Sequence, residues 1–215
     1  MVTTTVVPNY HIYENVTIGP GATIGDFVVI GLPPAGKGEG ELPTSIGSGA
    51  VIRSHTVIYA GNVIGHNLAT GHGVLIRANN QIGDDVSIGS HSAIEHHVQI
   101  GNRVRVHSQA FIPEYSVLED EAWIGPAVVF TNALYPRSPQ VKENLRGPII
   151  KSRAKIGAHA TLLPGITIGE DALVGAGAVV TQAVPPGAVV VGNPARIIKH
   201  VADLPAYDLL TEESP

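Results

Sequence analysis

Eighteen residues separate His96 from Glu114, and eighteen more separate Glu114 from Asn132. A histidine near a carboxylate can act as a general base, because the carboxylate orients the ring and stabilises its protonated form. Glu95 and His97 flank His96, and Tyr115 follows Glu114, so several groups able to bind or move a proton share this spacing. The spacing brings them together only in a fold that returns on itself every eighteen residues.

The chain has the pattern of such a fold. Between Ile46 and Phe130 every sixth residue is apolar, with Thr70 the one polar exception. Ile12, Ile18, Ile24 and Ile30 open the same beat, and Ile156, Leu162, Ile168, Val174 and Val180 resume it. Two residues before each beat the chain is usually small or β-branched, as at Ala50, Val86, Ala110 and Ala122. A period of six fits neither a helix nor an alternating strand, but it does fit a short strand followed by a tight turn. Three such units close a triangular coil, and coils stack as parallel strands about 4.8 Å apart. The beats predict an all-β parallel β-helix of about eight triangular coils, on the order of 40 Å long. A composition of 44% hydrophobic but only 5% aromatic residues suits a thin core of Ile and Val.

On this ruler Asn132 lies over Glu114 and Glu114 over His96, with Tyr115 over His97 and Glu95 over Arg77 alongside. Two segments interrupt the beat, residues 31–45 and 131–155. The second carries Arg137, Lys142, Arg146, Lys151, Arg153 and Lys155 against a single acid, Glu143. Such a run either keeps a loop solvated or binds a polyanion, such as a phosphorylated cofactor or a nucleotide-linked substrate. The domain reading is a β-helix over 1–193 and a capping segment over 194–215. There ARIIKHVADL has helical spacing and predicts a short C-terminal helix. The acidic tail from Tyr207 follows it, and residues 1–11 are placed at the other end of the prism.

A net charge of −5 argues against nucleic acid or an anionic membrane as the main partner. The chain has no cysteine and no N-terminal apolar run, so a soluble cytoplasmic protein is expected.

The stretch IGAHATLLPGITIGEDALVGAGAVVTQAVPPGAVVVGNPARIIK, together with the beat, resembles the hexapeptide-repeat acyltransferases that use acetyl-CoA. The resemblance implies a left-handed β-helix and a homotrimer with coenzyme A lying between subunits. Carried over, it marks Gly157, Ala158, Gly175, Ala176, Pro194, Arg196 and Lys199 as cofactor contacts. The segment IEHHVQIG resembles the motif of bacterial sugar-amine N-acetyltransferases acting on nucleotide-linked amino sugars, which implies His96 as the base. The acidic residue usual after that histidine is His97 here, and Glu114 takes its place as the orienting carboxylate.

The stretch VVFTNALYPRSP resembles a loop of the maltose and galactoside O-acetyltransferases, in which a histidine precedes the proline. Here Tyr135 stands there, and a phenol with a pKa near 10 is a poor base. The same loop is similar to that of the N-acetyltransferases. Tyr135 and Arg137, with Glu95, His97 and Tyr115, are therefore candidates for binding an amine acceptor. His107, on another corner, is a reserve base that could reach a neighbour's site. The implied mechanism is direct transfer with no acyl-enzyme and no metal.

Two other classes compete. Gamma-class carbonic anhydrases share this scaffold, and His55, His91 and His96 have a similar numerical spacing. Their ligands follow a core beat by one or two positions, whereas His55 and His91 fall three after Ile52 and Ile88. Matching by beat instead gives Arg77, Ser90 and Glu95, which make no three-histidine zinc site. A noncatalytic scaffold is the third class, and coenzyme A binding would separate it from an enzyme.

Overall fold

A computed structural model describes residues 9–204. The chain winds as a triangular prism with three sheets of nine, eight and ten strands, parallel except for the last strand of the third. The first face holds Val57–Tyr59, Leu75–Ile76, Ala93–Ile94, Phe111–Ile112 and Val129–Phe130; Gln99–Ile100 and Arg105–Val106 lie on the second and third. Register steps by eighteen residues: Ile76 pairs Ile94, and Ile94 pairs Ile112.

Two residues of each six point inward. The beats Ile58, Ile76, Ile94 and Ile112 are fully buried, as are Ala50, Val86 and Val104 from the second inward row. Each buried Ile or Val side chain contributes roughly 1.5–3 kcal/mol over leaving it exposed. Thr70, the polar beat, is buried but satisfied, since its hydroxyl accepts from the Arg53 amide at 3.0 Å and lies 3.3 Å from that of Thr56. The third residue after each beat turns the corner in the left-handed region, as at Asn79, His97 and Tyr115 with φ of 63°, 60° and 64°. That geometry suits Gly and Asn best and makes the corner tight.

Three boundaries differ from the sequence reading. The first interruption is shorter than 31–45, because Val29–Leu32 and Thr44–Ile46 are both paired strands, leaving 33–43 outside the coil. The second ends early: Ile149–Ile150 pairs with Val117–Leu118, so the loop is 131–148 and not 131–155. Ile150 is a beat, six before Ile156, and it is fully buried. Finally, the C-terminal helix is absent from the described residues. Arg196–His200 forms a strand antiparallel to Ala188–Val191, followed by a 3₁₀ turn at Val201–Asp203. The last coil has free backbone groups, and a strand pairs with them where a helix could only cover them. The tail from Tyr207 lies outside the described residues, as do residues 1–8 of the N-terminal segment.

Both loops leave the prism on one edge, the one joining the first face to the second. The His96 row runs between their two exits.

Candidate functional site

Glu95, His96 and His97 form the turn that follows Ile94, and Pro113, Glu114 and Tyr115 the turn above it. The Nε2 atom of His96 lies 2.8 Å from Oε1 of Glu114. The other oxygen of that carboxylate accepts from Nδ2 of Asn132 at 2.7 Å. A carboxylate only accepts, so Nε2 carries the proton of the neutral ring and Nδ1 keeps the lone pair. Oε2 of Glu95 stands 3.6 Å from Nδ1. His96, Glu95 and Glu114 are all part-exposed, which leaves Nδ1 reachable from solvent. The three candidates spaced by eighteen thus form one relay with its basic atom pointing away from Glu114.

The neighbours extend this edge. The rings of His97 and Tyr115 stack at 5.6 Å with 4° between planes. Below Glu95, Arg77 lies 4.0 Å from its carboxylate and 5.1 Å from the ring of Tyr59. The eighteen-residue register places Arg77 beneath Glu95, and Tyr59, eighteen residues before Arg77, extends the same row. Above the relay, loop 131–148 and the next coil enclose a cavity of about 500 Å³ whose wall includes Ala133, Tyr135, Arg146 and Pro164. Tyr135 is 70% exposed, and Arg137 is exposed without lining that cavity.

The basic run of the loop is smaller than the sequence implied. Lys151 pairs with Glu119 at 2.6 Å and Arg153 with Asp171 at 2.8 Å, and both, like Lys155, belong to the coil. Arg137, Lys142 and Arg146 remain in the loop with no ion pair among the described residues.

The residues assigned to the cofactor lie elsewhere. Gly157, Ala158, Gly175 and Ala176 form turns on the edge joining the third face to the first, and so does His107. A Cβ on Gly157 would stand 2.5 Å from the Ala176 amide nitrogen, and one on Gly175 would stand 2.7 Å from Val191. Close stacking of coils therefore demands both glycines, whatever they bind. Pro194, Arg196 and Lys199 are exposed, and Arg196 lines a groove of about 450 Å³ with Thr181 and Gln182. Neither cation has a carboxylate partner among the described residues, so both suit phosphate groups.

His107 packs on Trp123 at 4.6 Å, and its Nε2 is buried without a partner. Burial, and then the charge of Arg105, holds its pKa below the usual imidazole range, so the ring is neutral at pH 7. One chain does not bring His107 to His96. His55 and His91 also sit on this other edge, away from His96. Among the described residues, the group with ligand atoms close enough to share one metal ion is Glu95, His96 and Glu114, within 4.8 Å of one another.

Comparison with known proteins agrees with the repeat. The bacterial transferase hexapeptide (six repeats) family matches residues 81–114 and 147–182. A Staphylococcus aureus protein provisionally named an acetyltransferase is 46% identical over 68 residues, 31% of this chain and 34% of that one. A 2,3,4,5-tetrahydropyridine-2,6-dicarboxylate N-acetyltransferase of the same species is 50% identical over 56 residues, 26% of this chain and 23% of that one. The matches thus span only a quarter to a third of these curated relatives. Among solved structures, a variant of perosamine N-acetyltransferase from Caulobacter crescentus, in complex with CoA and GDP-perosamine, is 26% identical. It covers 67% of this chain and 56% of that one with a TM-score of 0.39. The matched repeats cover 70 of the 215 residues, and with the three sheets of short strands they show a left-handed parallel β-helix built of hexapeptide repeats.

Proposed function

We propose that this protein is an acetyl-CoA-dependent N-acetyltransferase that acetylates the amine of an amino sugar, with a nucleotide-linked sugar as the preferred form. The observation that carries the reading is the Asn132–Glu114–His96 relay, with contacts of 2.7 Å and 2.8 Å and Nδ1 left basic. Acetyl-CoA supplies the thioester carbonyl. His96 takes a proton from the amine as its nitrogen attacks that carbonyl, and Glu114 stabilises the charged ring. The C–N bond forms, the C–S bond breaks, and the ring returns its proton to the departing thiolate. No acyl-enzyme enters.

An amine fits better than a hydroxyl because Glu95 sits beside Nδ1, where a carboxylate can receive an ammonium group before it loses its proton. Tyr135, in the place where the O-acetyltransferases have a histidine, offers no second base. The same reading includes a homotrimer. The outward row of the first face, Val29, Val57, Leu75, Ala93, Phe111 and Val129, is apolar, with Phe111 and Val129 each over a third exposed. The His96 edge and the Gly157 edge flank this face on opposite sides. Threefold packing about it would set one chain's His96 beside its neighbour's Gly157 row.

The test is coenzyme A release with a panel of amines and hydroxyls, run beside His96→Ala. Acetylation of an amino sugar that collapses in the variant is the expected result. Full activity in His96→Ala, or faster reaction with hydroxyls, would overturn the assignment.

A further inference from the structure

The edge joining the third face to the first, the prism's third edge, holds a cavity that the relay and the acceptor loop do not use. Its volume is about 260 Å³, and its wall carries Arg53, Ser87, Ser90, Arg105, His107 and Ser108. The guanidinium of Arg53 is anchored through Nη1, which donates to the Thr70 carbonyl at 2.7 Å and leaves its other N–H groups available. Arg105 projects from its strand between Ser87 on the coil below and Trp123 on the coil above.

Neither arginine has a carboxylate within ion-pair distance among the described residues, whereas Arg77, Arg103 and Arg153 each do. In a chain of net charge −5, two guanidinium groups without counter-ions share one concavity with three hydroxyls. Planar N–H forks and hydroxyl donors are the chemistry that recognises an oxyanion. The wall also contains His107, whose ring the charge of Arg105 already reaches.

We propose that the cavity between Arg53 and Arg105 binds the anionic group of the acceptor, an oxyanion of the phosphate or carboxylate type. The proposal rests on the reading above for the acceptor's place. His91 and His107 end and begin the turns just before and just after the His96 coil on the third edge. Threefold packing about the first face would therefore set this cavity at the height of a neighbour's His96, and the acceptor is an anionic amine.

Two measurements test it. In the first, the intact protein is titrated with inorganic phosphate while the His107 imidazole proton resonances are followed. Phosphate should shift them, and Arg53→Gln/Arg105→Gln should weaken binding at least about tenfold, as expected for charge-assisted hydrogen bonds. The single variant Arg105→Gln, whose side chain anchors nothing else, should do the same in part. No shift with phosphate overturns the site. So does binding that survives in Arg53→Gln/Arg105→Gln and is lost in Arg137→Gln/Arg146→Gln.

In the second, coenzyme A release is compared for a neutral amino sugar and its phosphate ester. The double variant should raise KM for the ester at least about tenfold and leave the neutral amine unchanged. Equal changes for both would overturn the acceptor assignment. If neither amine reacts, the proposed activity fails, while the phosphate titration still judges the cavity.

Discussion

Two edges of one prism, built by the same repeat, have opposite chemistry. On the edge joining the second face to the third, polar groups pair with one another. His66 N–H donates to Asp84 at 2.7 Å, Asp84 N–H to Asn102 at 2.9 Å, and Asn102 N–H to Asp120 at 2.7 Å. Charges alternate beside that ladder, with Arg103 on Glu121 and Arg153 on Asp171. The amides of His66, Asp84 and Asn102 each find an acceptor one coil away, so the edge ties coil to coil. On the edge joining the first face to the second, the ladder is cut short. Glu114 is held from both sides, but the Nδ1 of His96 faces outward, and both loops leave the prism from this edge. A repeat that closes its own hydrogen bonds builds structure; where it leaves one basic atom open under a loop, it can build a site.

That contrast can be broken by substitution. The largest effect is expected for His96→Ala, which should lower kcat for amine acetylation about 10²- to 10⁴-fold, read by coenzyme A release, with melting little changed. Next is Glu114→Gln. It keeps the shape and loses the charge that stabilises the protonated ring, so kcat should fall about 10- to 100-fold with KM nearly constant. A rise in KM alone would make Glu114 a binding residue.

The other edge should answer in the opposite currency. Asp120→Ala removes the acceptor of the Asn102 amide and should cost about 1 kcal/mol, a few degrees of melting temperature, with kcat unchanged at 25 °C. Lost activity at full stability would erase the distinction between the edges.

The smallest effect concerns acid. The Lys151 ammonium holds Glu119 below the usual carboxylate range, and the Arg153 guanidinium does the same for Asp171. A depressed pKa means stability present above the ordinary values of 4.5 and 3.8 and lost as pH falls through the lowered ones. Both pairs are well exposed, so each contributes under about 1 kcal/mol and less in high salt. Glu119→Gln should lower the melting temperature slightly at pH 7, where the pair is intact, and flatten its fall below pH 4.5, where the unsubstituted protein loses the same contribution.

Much of this was legible in the residues. The beat placed Ile94 on Ile112 and therefore His96 beneath Glu114, because stacked coils must keep register for their backbone groups to pair. It could also have found Ile150, which lies six before Ile156 in a stretch read as loop for its lysines and arginines. Counting charge along 131–155 overstated the basic loop, because Glu119, Glu170 and Asp171 lie far from Lys151 and Arg153 in sequence and one coil away in space. ARIIKHVADL had helical spacing, yet the free edge of the last strand took Arg196–His200 as a partner.

What the sequence determined by itself is the coil and its register, since a period repeated over twenty turns leaves one way to bury its Ile and Val. Which nitrogen of His96 stays basic was decided only by the tertiary structure. So were the neutralised cations and the separation of His96 from the Gly157 edge. Side-chain direction and charge pairing across coils depend on neighbours eighteen or more residues distant, and no local pattern records where those side chains point.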